Sequence, residues 1–495
     1  MAGSESSYRQ IFKATTLFGG VQFFNILITI IRGKFSAILL GAEGMGINSL
    51  FASTIEMLKN LTSLGLPQSA VRDIAAAKGS EDEQQMGTTA KVFGRWILFT
   101  ALLGVAVTIG ASWFLSRWLF ESGDYTFSFI ALSVIFVFFA FTSGTYTLLR
   151  GLRQNKLLAL ANVLGSLGGL VVAVPFYYFF GVSGIVPALI VSAIVTWLIS
   201  VYFKRKIKLP DISLSLRETI DKGAEMVKLG VVLSFSTFLL VAIRFVLNAY
   251  IGRTGSLHDL GIYNAGVTIT TGYVGLVFTA MITDYFPRLS SLIHDKEKWQ
   301  QTVTHQAELV LLILGPILVL LLIAAPLIIE VLLTKEFLPV LEYIHWSVLG
   351  IFLQAIAWAL GVIVVAKGDM RLKLVTEIIG KAVVLSMNIV GYMYGGIKGL
   401  GIAFLLSNMI NLLLIGGVSY VKYSFRFSAG FFTLAVILLS TCVLAFIAVS
   451  YFNLVPSLII GGIALLISGF YSYNQLNKRL DLAGAMKSFI DKMRK

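Results

Sequence analysis

The sequence predicts an all-α polytopic membrane protein of fourteen spans, two six-helix bundles followed by two further helices, and three observations predict it. The first is composition. Of 495 residues, 57% are hydrophobic and 13% are charged, whereas soluble domains carry about 25% charged residues. A bilayer-spanning helix needs about 20 apolar residues, so the chain can furnish roughly twelve to fourteen spans and no large soluble domain beside them. The second is the spacing of apolar runs between polar breaks. They fall near residues 11–33, 44–66, 92–114, 126–149, 157–180, 183–203, 227–251, 260–283, 306–333, 342–366, 373–394, 399–421, 429–451 and 456–475. The first run lacks the short apolar core and cleavage site of a signal peptide, so the N-terminus is expected to be retained. The third is duplication. Gly46-Ile47 recurs as Gly261-Ile262, Tyr177 as Tyr392, Gly181 as Gly396 and Gly184 as Gly399, all 215 residues apart, while Arg150-Gly151 and Lys367-Gly368 match at 217.

Because six is even, the two copies share one orientation, which implies a pseudo-twofold axis along the membrane normal. The expected domains are an N-terminal lobe at 1–208 (spans 1 to 6), a C-terminal lobe at 209–425 (spans 7 to 12), and spans 13 and 14 with a basic tail at 426–495. Two bundles with substrate held between them is a transporter plan, in which one half rocks against the other.

Charge tests the parse. The 39 Lys and Arg against 25 Asp and Glu give +14, yet no aromatic-interleaved basic module of a nucleic-acid binder occurs. Cytoplasmic loops retain Lys and Arg. With the N-terminus inside, thirty of the 39 fall on the cytoplasmic side and at most six outside: Arg32, Lys34, Arg117, Arg253, Lys335 and Lys398. Lys59, Arg244 and Lys381 remain within spans. Both termini are therefore expected in the cytoplasm. Cys442 is the one cysteine and there are four histidines, so neither a disulfide framework nor a zinc site is expected. The run Gly41 to Gly46 lacks the Lys-Ser/Thr ending of a phosphate loop, so no cofactor is expected and transport is not driven by hydrolysis in this chain. Short outer loops leave no place for an extracellular catalytic acid or base, and the chain is not expected to be an enzyme.

The polar residues inside spans mark the candidate site. Thr15, Gln22, Asn25, Thr29 and Arg32 lie within about 100° of arc on span 1. Span 2 repeats the pattern with Ser49, Ser53, Glu56, Lys59, Asn60 and Ser63, span 7 with Ser234, Thr237, Arg244 and Asn248, and span 8 with Asn264, Thr268 and Thr271. Helix-to-helix hydrogen bonding accounts for any one neutral residue; four matched stripes favour a wet cavity. A cation at a helix centre costs about 2.5–3.5 kcal/mol on insertion scales and needs compensation. Arg244 has no acid within a helical turn, and snorkelling to the outer surface competes with a cavity role. Lys59 follows Glu56 by three and Lys381 follows Glu377 by four, so an intrahelical ion pair is open for each. Arg32 is either interfacial or cavity-facing, because the end of span 1 is ambiguous. Four cations around one lumen would select an anionic cargo, and pyrophosphate suits the planar fork of Arg. Glu56 and Glu377 are alternatively proton or sodium sites.

The segment Arg32 to Asn48, followed by Gly65 to Arg72, resembles the first two spans of Wzx-type polysaccharide flippases of the multidrug/oligosaccharidyl-lipid/polysaccharide (MOP) exporter superfamily. Leu149 to Lys156, Gly181 to Pro187 and Asp284 to Ser290 are similar as well, so the likeness extends through most of the chain. The resemblance implies the MATE-like fold of that superfamily, two lobes in a V around a cavity lined by helices 1, 2, 7 and 8. It implies transfer of an undecaprenyl-pyrophosphate-linked oligosaccharide from the cytoplasmic to the periplasmic leaflet of the bacterial inner membrane, without ATP, with coupling to a proton or sodium gradient left open. A related branch flips the lipid-linked peptidoglycan precursor. Its members carry an Arg nine residues before the first loop glycine, as Arg32 precedes Gly41, and a basic residue six before the glycine ending span 2, as Lys59 precedes Gly65. Their basic residue near the start of span 8 has no counterpart here, where Gly266 and Val267 stand, and Arg244 is the candidate substitute.

The expected function is thus flipping of lipid-linked O-antigen or related repeat units, with Arg32, Lys59, Arg244 and Lys381 on the pyrophosphate and Gln22, Asn25, Asn60, Asn248 and Asn264 lining the path. Membrane lipids and other polysaccharide-assembly membrane proteins are the expected partners, and a monomer suffices for rocking lobes. Two alternatives compete. A cation-coupled multidrug exporter of the same fold would favour an acidic lumen, and a membrane glycan polymerase or transferase would need an outer catalytic group.

Overall fold

The computed structural model describes residues 2–80, 82–207, 209–210 and 212–480, with side chains described from residue 24 to residue 479. Apolar runs in a bilayer must satisfy every backbone group internally, and among the described residues there are helices and no strands. The described residues form fifteen α-helices: α1 (Ala2–Thr62), α2 (Leu66–Gly79), α3 (Glu83–Phe120), α4 (Thr126–Leu132), α5 (Ile135–Gly151), α6 (Asn155–Phe180), α7 (Ile185–Lys204), α8 (Leu216–Thr254), α9 (Leu257–Val267), α10 (Leu276–Leu292), α11 (Lys296–Leu332), α12 (Leu341–Ala366), α13 (Met370–Tyr423), α14 (Ala429–Tyr451) and α15 (Leu454–Leu480).

Among the described residues eleven helical stretches are long and apolar enough to cross a membrane, and the protein is a multi-pass membrane protein. Three of these stretches, Phe24–Thr62, Asn155–Lys204 and Met370–Tyr423, each carry two of the expected spans. Each is interrupted at a glycine: Gly41 (φ 66, ψ −172), Gly181 (φ 54, ψ −131) and Gly396 (φ 52, ψ −135). That backbone region is open essentially to glycine alone, so the chain reverses direction there without a loop. Fourteen spans result, as expected. Two local readings change. Span 1 does not end at residue 33 but runs on to Gly41, so Arg32 and Lys34 belong to a helix and not to an outer loop. Residues 66–79, read as part of a basic loop, form α2, which starts after the left-handed Gly65 with a proline in its first turn.

The duplication is visible in backbone geometry. Gly181 and Gly396 share one conformation. A Cβ on Gly184 would lie 2.3 Å from the carbonyl oxygen of Phe176, and one on Gly399 would lie 1.8 Å from that of Gly391, the same contact 215 residues later. At the opposite ends, Arg153 and Gly368 both have positive φ (56 and 75). The amide of Gln154 donates to the Leu149 carbonyl as that of Asp369 donates to Val364. The Lys78 ammonium donates to the Leu152 carbonyl, while Lys367 donates to the Ile293 carbonyl at 3.0 Å; the positions match, with donor and acceptor exchanged. The equivalence of Arg153 with Gly368 corrects the offset of 217 to 215, so the repeat runs through this turn without a gap.

The chain divides into two compact units, Met1–Gly261 and Ile262–Lys495. This boundary of packing falls after the sequence boundary at 208/209, because α8 packs within the first unit against α1, α2 and α3. Its N-terminus is closed by a capping box in which Ser215 and Glu218 bond reciprocally. Arg95 of α3 donates to the Leu214 carbonyl (3.0 Å) and to the Thr219 hydroxyl (2.6 Å), and the Trp96 indole to the Thr219 carbonyl (3.0 Å). Gly223 lies flat on that indole, where a Cβ would fall 1.6 Å from Nε1. At the other end of α8, Trp118 meets Phe245 with ring centroids 5.5 Å apart, and Arg253 pairs with Glu121 at 3.5 Å. One reciprocal glycine crossing joins α1 to the start of α9. A Cβ on Gly46 would lie 1.9 Å from the Leu257 carbonyl oxygen, and a Cβ on Gly261 would lie 1.9 Å from that of Ala42. At the far end of α1, a Cβ on Gly65 would lie 2.0 Å from the Gly230 carbonyl oxygen of α8.

In the second unit, Tyr285, Leu289, Trp299, Val303 and Ile363 form a buried cluster with Phe425. Beside it, Asp369 accepts from the Tyr423 hydroxyl and pairs with Lys422 at 3.1 Å, closing the two ends of α13 together. Glu308, 8% exposed, is held by Arg479 at 3.0 Å, which ties α15 to α11.

Two measurements check these contacts. Gly46→Ala and Gly261→Ala should each lower stability of the purified protein by about 1–3 kcal/mol, seen as a lower melting temperature in detergent. Gly33→Ala, with nothing within 4 Å of the added Cβ, should not. Equal melting of all three would show the crossing to be loose. The hydrogen bond from Tyr423 and then that from Lys422 hold the Asp369 carboxyl below the usual carboxylate range. Its folded value being depressed, its stabilisation is present above the unfolded value of about 3.9 and is lost as pH falls through the lower folded one. The stability gap between wild type and Tyr423→Phe should therefore close on acidification below about pH 4; a gap constant with pH would refute this.

Candidate functional site

Within the first unit, the continuous helix α1 places Arg32 nine residues before Gly41. At 1.5 Å per residue that is about 13 Å from the break, too deep for a surface residue. Its Nη2 donates to the Ser166 carbonyl of α6 at 3.1 Å and rests over Gly169, whose missing Cβ leaves the room. One and two turns before Arg32 on the same stripe lie Thr29, whose hydroxyl bonds to its own helix, and Asn25, whose Nδ2 donates to Oδ1 of Asn162 on α6 at 2.8 Å. The polar face of span 1 therefore meets α6. Asn162, Ser166 and Gly169 were not singled out in the sequence, although their spacing of four and three residues marks one polar, small face of that helix.

Glu56 does not pair with Lys59, its neighbour three residues on. Its carboxylate Oε2 faces Nη1 of Arg244 on α8 at 3.9 Å, with side chains 47% and 54% exposed. The Arg244 side chain is thus directed at span 2. Lys59 sits with its ammonium 5.2 Å from the ring centroid of Phe139 on α5, a cation–π contact that the sequence pattern did not show. Asn60 donates to the Glu56 carbonyl within its own helix at 2.9 Å. Asn248 is 1% exposed and so is packed among helices instead of facing solvent. Gln22 lies outside the residues whose side chains are described.

These residues converge because of the two glycine crossings. The second half of α1 is pinned at Gly46 to α9 and at Gly65 to α8, and Glu56 lies midway between the pinned points. Arg244 meets it there. Charged side chains exposed to this extent on membrane-spanning helices cannot face hydrocarbon without a penalty of kilocalories each, so they face water. The first unit thereby holds two cations, Lys59 and Arg244, around one acid, with Arg32 nearer the break at Gly41.

In the second unit, Glu377 pairs with Lys373, 3.5 Å away and one turn earlier, where the sequence left open a pair with Lys381. Lys381 lies one turn beyond, within range of the Glu377 charge. Asn264 is 7% exposed and its carbonyl accepts from the Thr268 hydroxyl at 2.8 Å. Immediately beyond, residues Thr268–Val274 form a π-helix, a rare irregularity found often at functional sites. Among the described residues no three His, Cys, Asp or Glu side chains gather to hold a metal.

Residues 35–342, more than half of the chain, match the family described as "Polysaccharide biosynthesis protein". The Lipid III flippase of Escherichia coli K12 is 22% identical over 355 residues, covering 70% of this chain and 83% of that protein; the Lipid III flippase of Shigella flexneri matches to the same extent. Among solved structures, an inward-facing multidrug resistance MATE family transporter of the MOP superfamily superposes with a TM-score of 0.67 at 17% identity, over 80% of this chain and 96% of that one. The lipid II flippase MurJ in an inward closed conformation gives 0.64 at 14% identity, over 93% and 99%. Both likenesses show the fold.

The contact between span 1 and α6 is open to a double-mutant cycle. Asn25→Ala and Asn162→Ala should be non-additive in stability, with a coupling of about 0.5–2 kcal/mol; additive losses would mean that the amides do not meet.

Proposed function

The chain belongs to the polysaccharide biosynthesis protein family and has the MOP exporter fold, and from that premise we propose that it flips lipid-linked oligosaccharides across the cytoplasmic membrane. The observation that carries the reading is the solvent-facing arrangement of Arg244, Glu56 and Lys59 on helices that cross the membrane. Two cations to one carboxylate favour an anionic head group. A pyrophosphate offers several oxygens to the Arg244 fork and to the point charge of Lys59, and Arg32 extends the track toward the outer break. The saccharide travels in the same water-filled path while the polyprenyl tail stays in lipid, so only the polar head crosses the barrier. Undecaprenyl pyrophosphate is the carrier we assign, with both termini of the protein in the cytoplasm.

The chain acts as a carrier and not as a catalyst in this reading. Movement results from binding: a ligand shifts the balance of inward- and outward-open states only by its difference in affinity for them. A head group gripped by Lys59 and Arg244 in one state and released in the other supplies that difference. Lys381 and Glu377 in the second unit are assigned to the path or to an ion that drives return of the empty carrier. The relatives support the substrate class, since the Escherichia coli protein of similar sequence is a Lipid III flippase. The MATE likeness keeps a multidrug exporter as the second reading, and the excess of cations over acids at the site argues against cationic drugs.

The test reconstitutes the purified protein in liposomes carrying undecaprenyl-pyrophosphate-linked oligosaccharide and monitors access of an impermeant glycosidase. Wild type should transfer the lipid between leaflets. Arg244→Ala and Lys59→Ala should each slow transfer at least tenfold, the equivalent of about 1.4 kcal/mol, at unchanged protein level. Transfer by Arg244→Ala at the wild-type rate would remove the cation from the path. Absence of transfer by wild type, with efflux of a cationic drug under a proton or sodium gradient, would establish the exporter reading instead.

A further inference from the structure

Resting on the reading above, the geometry points to a role for the one acid among the cations: we propose that Glu56 is a tethered counter-ion that occupies Arg244 in the empty carrier and gives it up to the incoming pyrophosphate. Three features support this. The pair is loose, with 3.9 Å between Oε2 and Nη1 and about half of each side chain open to solvent, so a competing anion can reach both partners. No second ion pair or hydrogen bond is made by the Arg244 guanidinium among the described residues, so its remaining N–H groups are free to receive oxygens. Lys59, one turn along the same helix, holds its ammonium over Phe139 and not on Glu56. Displaced from Arg244, the Glu56 carboxylate has Lys59 at helical spacing as its next partner.

The consequence is an exchange of anions at constant cation count. In the empty state Glu56 shields Arg244, and a doubly basic patch is not left bare in a membrane. In the loaded state pyrophosphate takes the guanidinium in the fork geometry that a single distant carboxylate oxygen does not use. Release is assisted by the same carboxylate, which returns when the head group leaves. Glu56 is a positioning residue here; it sets affinity and turnover without being needed for contact with the cargo.

Binding is measured on the full-length protein in detergent by calorimetry, with inorganic pyrophosphate and, in a separate arm, farnesyl pyrophosphate, which distinguishes a free anion from a lipid-borne one. Glu56→Gln keeps the side-chain shape and removes the competing charge. It should bind both probes about tenfold tighter than wild type, and Glu56→Asp, which keeps the charge, should bind like wild type. The gain should vanish in Glu56→Gln combined with Arg244→Ala. In the liposome assay Glu56→Gln should saturate at lower substrate but turn over more slowly, a split that general damage to the fold would not produce. Binding by wild type with no gain in Glu56→Gln, or a gain that persists without Arg244, would overturn the exchange and leave the flippase reading standing. Failure of every variant and of wild type to bind either probe would refute the pyrophosphate site itself, and the exchange with it.

Discussion

The approach of Gly46 and Gly261 to each other's helix is the contact on which the arrangement of the first unit depends. Between lipid tails, helices gain nothing by hiding apolar side chains from water, and association comes from backbones brought close enough for dispersion and weak hydrogen bonds. At this crossing each glycine faces a carbonyl at a distance that excludes any side chain. The contact is reciprocal: Gly46 meets Leu257 and Gly261 meets Ala42, and both relations are the same pair of positions read from opposite copies of the repeat. A second crossing, Gly65 on Gly230, pins the other end of the same segment. The span between is held at two points, and Glu56 and Lys59 are carried on it.

Holding a helix at both ends decides where its charges stand. Glu56 meets Arg244 between the two crossings because the intervening turns have no freedom to rotate away. The pair is solvent-facing, and a membrane protein keeps such a pair only where water reaches it. A tight, dry ion pair demands a large rearrangement to break, whereas this one, 3.9 Å long and open to solvent, does not.

Much of this was legible in the sequence for simple physical reasons. Span number came from the apolar runs, since bilayer thickness fixes helix length. The repeat was legible from Gly46/Gly261, Gly181/Gly396 and Gly184/Gly399, because glycines where the backbone must turn or touch cannot drift. The end of span 1 was not legible: Gly41 reverses the chain within one residue, and no polar loop marks the break. Partners were the least legible part. The helical period leaves Glu56 with Lys59 and Glu377 with Lys381 open as pairs; the first acid reaches across to α8, and the second pairs with Lys373 on its own helix. The first of these partners depends on a tertiary crossing with no local signature. The small polar face of α6 had a local signature, Asn162, Ser166 and Gly169, hidden because its residues carry no charge.

The duplication has kept backbone and relinquished chemistry. The turn at Gly181 and Gly396 is glycine in both copies and that at Arg153 and Gly368 is left-handed in both, although Gly41 answers to Ser256; the charged positions differ. Shifted by 215, Arg32 becomes Leu247, Glu56 becomes Thr271, Lys59 becomes Val274, and Arg244 answers to Thr29. Conversely Asn162 and Ser166, the α6 residues met by Asn25 and Arg32, become Glu377 and Lys381. The same face of the fifth helix of each repeat is thus polar in one copy and charged in the other. Arg32, Lys59 and Arg244 of the first unit thus have no cationic counterpart 215 residues away, so the two copies differ in charge where they agree in backbone.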